Sequence, residues 1–279
     1  MSNGPLNFES LKDEERGLLN EVDLLILAKF EIAISSSLEP NIEEKAIRFV
    51  ADLILFDAKE SESLVPSTWQ VLTLVASRTP SSHYGQDVLI RVVNMLEHYG
   101  LWTDLPGFGI SIRDNWNHSP TFELDAEDDR EFTQHEWLNL NSFIARLFNL
   151  RGKRFGNFAI WELRNGLEED ASDAGSAAAA DARVLVASEW IKQSGVRLWN
   201  ESVLGTFSTE PEDAAHGSPY RGGSLFLGTR GFNLERWGFW KRRLVELRSG
   251  ANASVQSVID EAVQTMSSIE QRNQLSLLR

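Results

Sequence analysis

Gly231-Phe-Asn-Leu-Glu-Arg-Trp-Gly-Phe-Trp-Lys-Arg-Arg-Leu-Val-Glu-Leu247 reads as a single helix with charge where its pattern asks for apolar residues. Asn233 suits the N-cap, because its short side-chain carbonyl can accept from an orphan N–H of the first turn. Glu235 falls in that turn, where the helix dipole favours a negative charge. Leu234, Trp237, Trp240, Leu244, Val245 and Leu247 are read as one apolar arc, with Lys241 inside it and Arg236 at its rim. A buried ammonium without a partner is very costly. Lys241 must therefore reach solvent along its stem, meet a carboxylate, for which Glu162 and Glu189 are candidates, or face a ligand.

Outward from this helix the same spacing recurs along nearly the whole chain. Helices are expected over Phe8–Ser37, Asn41–Lys59, Val65–Arg78, Asp87–Tyr99 (closed by Gly100), Glu131–Leu150, Phe155–Glu169, Asp181–Trp199 and Ala253–Leu278. In the seventh of these, Ser194 and Gly195 fall on the apolar side, where small residues let a neighbouring helix come close. Leu101–Thr121, with two prolines and Gly107 and Gly109, reads as a loop. The acidic run Glu123–Asp129 suits the approach to a helix N-terminus and needs no ligand. Ala171–Ala180 is low in complexity and reads as an exposed linker. Glu201–Gly231 is a long Gly/Pro-rich connection, expected to act as a lid over the bundle end. No strand alternation and no βαβ rhythm is present. The expectation is an all-α fold, an irregular multi-helix bundle forming a single domain over residues 1–279.

Composition narrows the function. With 279 residues, of which 42% are hydrophobic and 24% charged, the chain has ample material for a core. A net charge of −14 argues against the basic footprint that neutralises nucleic-acid phosphates, and it disfavours an anionic membrane surface. The absence of cysteine excludes disulfides, thiolate metal sites and cysteine nucleophiles. Residues 1–15 carry no basic region followed by an apolar stretch, and the longest apolar run, around Val22–Ile34, is broken by Asp23, Lys29 and Glu31. A cytoplasmic protein is expected.

The chemical motifs are sparse. Gly222, Gly223, Gly228 and Gly231 match neither G-x-G-x-x-G nor the Walker pattern. The five histidines never pair at metal-ligand spacing. Asp128-Asp129-Arg130-Glu131 is similar to the aspartate-rich motif of all-α terpene synthases, but the second metal motif is missing. No cofactor and no metal are expected. The nine tryptophans are numerous for this length. Trp137 shares an apolar arc with Leu140, Phe143, Ile144, Leu147 and Phe148, with Asn141 at its edge. Such a stripe either forms core or lines a pocket for a hydrophobic small molecule.

Four blocks carry a resemblance: Trp137-Leu-Asn-Leu-Asn-Ser-Phe-Ile-Ala-Arg-Leu147, Ala159-Ile-Trp-Glu-Leu-Arg-Asn-Gly-Leu-Glu168, Ala187-Ser-Glu-Trp-Ile-Lys-Gln-Ser-Gly195 and Leu234-Glu-Arg-Trp-Gly-Phe-Trp-Lys-Arg-Arg-Leu244. In order and spacing they resemble the DUF3632 family, over roughly Phe30 to the C-terminus, and the Arg-Trp-x-x-Trp-Lys block is the most specific. The resemblance implies a helical, cytosolic, fungal protein, some relatives of which sit beside natural-product biosynthesis genes. It implies no catalytic residues.

Two functions are therefore expected in competition. One is a cofactor-independent isomerase, cyclase or pericyclic-type enzyme of fungal secondary metabolism. Its catalytic cations would be Lys241 and Arg236, and Trp137, Asn141, Trp190, Trp237 and Trp240 would line the substrate pocket. The other is a non-catalytic helical scaffold, regulator or small-molecule-binding protein, in which Lys241 is a structural ion-pair member. A hydrophobic small molecule is the expected partner, without nucleic acid or membrane, and a homodimer is compatible with either.

Overall fold

The structure, a computed structural model, describes residues 6–15, 17–35, 41–98, 102–120, 131–209 and 218–276. Among these residues there are ten α-helices and two short 3-10 turns and no strand, so the fold is all-α. The helices are α1 (Phe8–Glu14), α2 (Glu21–Ser35), α3 (Ile42–Arg78), α4 (Gly85–His98), α5 (Phe108–Trp116), α6 (Gln134–Arg151), α7 (Gly156–Leu167), α8 (Ala177–Leu204), α9 (Leu234–Arg248) and α10 (Ala253–Ser276). No described helix is long and apolar enough to cross a membrane. The chain divides into two compact units, Met1–Thr121 with Glu127–Phe143, and Phe122–Ala126 with Ile144–Arg279.

Local chemistry redraws several expected boundaries. The helix expected over Phe8–Ser37 is broken at Gly17, whose φ of +91° suits glycine. The chain restarts at a reciprocal cap, in which the Asn20 side chain accepts from Asp23 N while Asp23 Oδ2 accepts from Asn20 N. Conversely, the two helices expected over Asn41–Lys59 and Val65–Arg78 are one helix with Pro66 inside it. The missing N–H costs one ladder bond, and packing of α3 against α2, α4 and α5 outweighs it. The expected loop Leu101–Thr121 contains α5, opened by Gly107 in the left-handed conformation. Helix α6 starts later than expected because Thr133 and Glu136 cap each other's backbone N–H groups. Ala171–Ala180 is not a linker. It forms a 3-10 turn at Ala171–Ala174 and then the first turn of α8, where Ser176 Oγ accepts from Ala179 N. Alanine is the best helix former, so a capped alanine run folds as helix. The run Glu123–Asp129, the Gly100 cap and residues 210–217 of the expected lid lie outside the described residues.

In the first unit, α3 packs on α2, α4 and α5 around Ile26, Phe30, Phe49, Leu72, Val75 and Leu89, all buried. The Phe30 and Phe49 rings stack at 4.1 Å. Polar side chains tie the α3–α4 turn to α6. The Gln86 amide donates to the carbonyl oxygens of Ala76, Thr79 and Asn139, and Asn139 Nδ2 donates to Ser77 O.

In the second unit, α8 packs on α7, α9 and α10. Close approach relies on small residues. A Cβ on Gly166 of α7 would lie 2.6 Å from Arg183 O of α8, and one on Gly195 would lie 2.9 Å from Ile269 Cδ1 of α10. Ser194 leaves helical geometry at φ −132°, which kinks α8, and its hydroxyl donates to Trp190 O at 2.7 Å.

Candidate functional site

Helix α9 begins where Asn233 accepts from Arg236 N, as expected of an N-cap. Its buried residues are Arg236, Trp237, Trp240 and Leu244, which fall within about 100° of one another on a helical wheel. Leu234 and Val245, assigned to the apolar arc from sequence, are exposed. They lie farther round the helix than the face covered by α7, α8 and α10.

Arg236, expected at the rim, is instead fully buried at 0% exposure. The reason is Glu168, the residue that ends α7, also at 0%. Arg236 Nε donates to Glu168 Oε1 at 2.6 Å and Nη2 to Oε2 at 2.9 Å, a bidentate pair. The remaining guanidinium N–H groups donate to the carbonyl oxygens of Tyr220, Gly231 and Arg221 at 2.9, 3.0 and 2.9 Å. All five donors of the guanidinium are thereby used. Its face lies 5.4 Å from the Phe226 ring centroid and 5.6 Å from that of Trp240. Glu168 in turn accepts from Trp240 Nε1 at 2.6 Å and from Gly223 N at 2.9 Å. Sequence reasoning did not single out Glu168. The available signal was that an arginine directly before one core tryptophan and one turn before another needs an acid, and Glu168 closes one of the quoted blocks.

The same hub holds the flanks of the Glu201–Gly231 segment. Residues 201–204 belong to α8. Leu225 N donates to Glu168 O, Ser224 N to Glu169 Oε2, Gly231 N to Tyr220 O and Phe232 N to Thr206 O. Trp161 Nε1 donates to Pro219 O at 3.0 Å. Gly231 has φ +74°, and a Cβ there would sit 2.5 Å from Phe207 C, so the position demands glycine.

Lys241 lies about 40° beyond the buried arc. Its side chain is 26% exposed, and Nζ meets Glu270 Oε2 of α10 at 2.6 Å, rather than Glu162 or Glu189. Glu270 Oε1 also accepts from Trp237 Nε1 at 2.9 Å. One carboxylate thus clamps two residues of α9, one turn apart, to α10.

The expected pocket residues divide between the units. Trp137 and Asn141 belong to the first. Trp137 packs edge-on to Trp116 at 4.8 Å, and Asn141 Nδ2 donates to Trp137 O. Trp190, Trp237 and Trp240 belong to the second. Trp190 packs near Phe148, Trp237 edge-on to Trp199, and Trp240 edge-on to Phe232. All five residues are buried, and their described contacts are with the protein's own core. No group of three or more His, Asp or Glu side chains among the described residues is placed to hold a metal.

A cavity of about 230 Å³ opens elsewhere in the second unit, where the end of α7, the 3-10 turn, the start of α8 and the α9–α10 turn meet. Ala174, Ala177, Ala180, Val184 and Leu247 form apolar walls. Glu169, Asp170, Asp181 and Arg183 also line it, and Glu169 pairs with Arg164 at 3.7 Å. Burial works to raise the Glu169 carboxyl, but hydrogen bonds from Ser224 and the Arg164 charge hold it below the usual range. The N–H and hydroxyl of Ser172, followed by Arg243, hold Asp170 low as well. Asp181 Oδ2 accepts from Asn252, while its Oδ1 has no hydrogen-bond partner among the described residues.

These features define an all-α protein whose second unit is built on a buried arginine–carboxylate hub beside a small acidic cavity. The chain belongs to DUF3632, a family described as proteins of unknown function, whose family model matches residues 69–244 and so spans all four sequence blocks. No curated protein and no solved structure matches the chain.

Proposed function

We propose that this chain is a cytoplasmic, non-catalytic binding protein whose ligand is a small organic amine with an apolar body, held in the cavity of the second unit. The observation that carries this reading is the state of the two cations on which catalysis would depend. Arg236 uses every N–H inside the core, and Lys241 is paired with Glu270. The cofactor-free isomerase or cyclase built on these two residues would need one of them free to meet developing negative charge. Binding needs only a shaped apolar space with a few placed polar groups, which the alanine-walled cavity supplies. Asp181, whose Oδ1 is not used by the described residues, favours an ammonium, and the cavity volume is below the roughly 300 Å³ at which drug-sized sites begin.

Calorimetry and thermal shift with phenethylamine and its acidic counterpart 3-phenylpropanoate test this reading. The amine is expected to bind and raise the melting temperature, to be recovered unchanged, and to outbind the acid. Ala180→Phe, which fills the cavity, and Asp181→Asn, which removes a carboxylate, are each expected to weaken binding by about tenfold or more. Equal binding of both probes, or amine binding indifferent to both variants, would overturn it.

A further inference from the structure

Helix α2 is apolar on two opposite sides. Its inner side, Ile26, Leu27, Phe30, Ala33 and Ile34, is buried against α3 and α4. Its outer side keeps Leu24 at 42%, Leu25 at 48% and Ile32 at 47% exposure, flanked by Val22 and Ala28, which are only partly covered. Ile47 of α3 is exposed at 45% as well, and so is Leu18 in the turn before α2 at 72%. Singly exposed leucines are ordinary, but a contiguous set on one helix face marks an interaction surface.

The charges on that face identify the occupant. Leu25 lies opposite the buried side, and Glu21 and Lys29 lie four residues before and after it, about 6 Å away along the axis on either side. Neither makes an ion pair or side-chain hydrogen bond among the described residues. When two copies of α2 run antiparallel about a twofold axis at Leu25, residue pairs face each other with numbers that sum to a constant. Leu25 then meets Leu25, and Glu21 of each copy stands level with Lys29 of the other, across the seam. The exposed end at Ile32 meets the end that carries Leu18. Parallel alignment would instead set Glu21 beside Glu21 and Lys29 beside Lys29. The face is thus self-complementary in charge only in the antiparallel sense, which suits an isologous interface.

We propose that α2 is the contact surface of a homodimer, in which two copies of this chain pair antiparallel through Leu24, Leu25, Ala28 and Ile32 with reciprocal Glu21–Lys29 ion pairs. A patch of one helix per copy falls in the small class of interfaces, below about 1,200 Å² in total, so the dimer is weak and reversible.

Sedimentation equilibrium of the full chain over a concentration series tests the proposal. A monomer–dimer equilibrium with a micromolar dissociation constant is expected. Leu25→Glu, at an exposed position, should leave the circular dichroism spectrum unchanged and abolish the dimer over the same range. Glu21→Lys or Lys29→Glu alone sets like charges across the seam and should weaken the dimer about tenfold, while the double charge swap should restore it to within about twofold. A chain that stays monomeric throughout overturns the proposal, and so does a dimer that survives Leu25→Glu. A double swap no better than either single variant overturns the antiparallel register.

Discussion

Glu168 holds together three parts of the second unit: the end of α7, the 218–233 segment and α9. It accepts from Arg236 through both oxygens, from Trp240 and from Gly223. Two charges removed from water are tolerable only with such complete satisfaction, and removal of one partner leaves the other buried and uncompensated. Glu168→Gln keeps the volume and removes the charge, so denaturant unfolding should show a loss of about 3–5 kcal/mol. Lys241→Met should behave differently. Its ion pair is partly exposed, and Glu270 keeps the Trp237 bond. A loss of about 1 kcal/mol or less is expected by the same measurement, with amine binding in the cavity unchanged. A loss as large as that of Glu168→Gln would show that Lys241 belongs to the buried framework.

At the scale of elements, the described stretch from residue 218 to Phe232 is anchored through its own backbone amides. The amides of Gly223, Leu225, Gly231 and Phe232 all donate to acceptors within the second unit, so hydrogen exchange should find them protected to a degree comparable with the middle of α9. Exchange as fast as in an exposed loop would contradict the anchorage. The α7–α8 contact makes a second prediction. A Cβ on Gly166 would meet backbone at 2.6 Å and the Ala187 side chain at 2.7 Å, so the helices must separate to admit it. Gly166→Ala should cost about 1–3 kcal/mol as overpacking, although alanine is the better helix former. Element boundaries were legible in the sequence where a cap wrote them, as at Asn233. They were misread where tertiary packing carried a helix through Pro66, or where an alanine run looked featureless without its Ser176 cap.

For the molecule as a whole, pH acts on the first unit through His83. Burial, followed by the nearby Lys45 charge, lowers its pKa, and its Nδ1 accepts from Gly85 N at 3.0 Å, which requires the neutral ring. In the unfolded chain the imidazole titrates near the ordinary value of about 6.5. Above that pH both states are neutral and the contribution to stability is complete. As pH falls below it, the unfolded state takes up a proton that the folded state resists, and stability declines until the lowered folded pKa is passed. Denaturant midpoints should therefore fall between pH 7 and pH 5. His83→Asn, which keeps an acceptor near Gly85 N and cannot titrate, should flatten that decline. An unchanged slope would show that other groups govern it.

The sequence by itself determined the helical class, the family blocks and the Asn233 cap, because apolar periodicity and capping are local properties that tertiary context seldom reverses. It also marked Arg236 and Lys241 as charges in need of an answer. Which answer each received was decided by the tertiary structure alone. Helical phase states which side of α9 a residue occupies, not what stands across from it. The partner of Arg236 lies 68 residues away and that of Lys241 lies 29. Only the packing of α7 and α10 beside α9 brought those two carboxylates, rather than Glu162 or Glu189, within hydrogen-bonding distance. Packing within the second unit buried Trp190, Trp237 and Trp240 and left the open space among the alanines at the start of α8, while Trp137 is buried separately in the first unit.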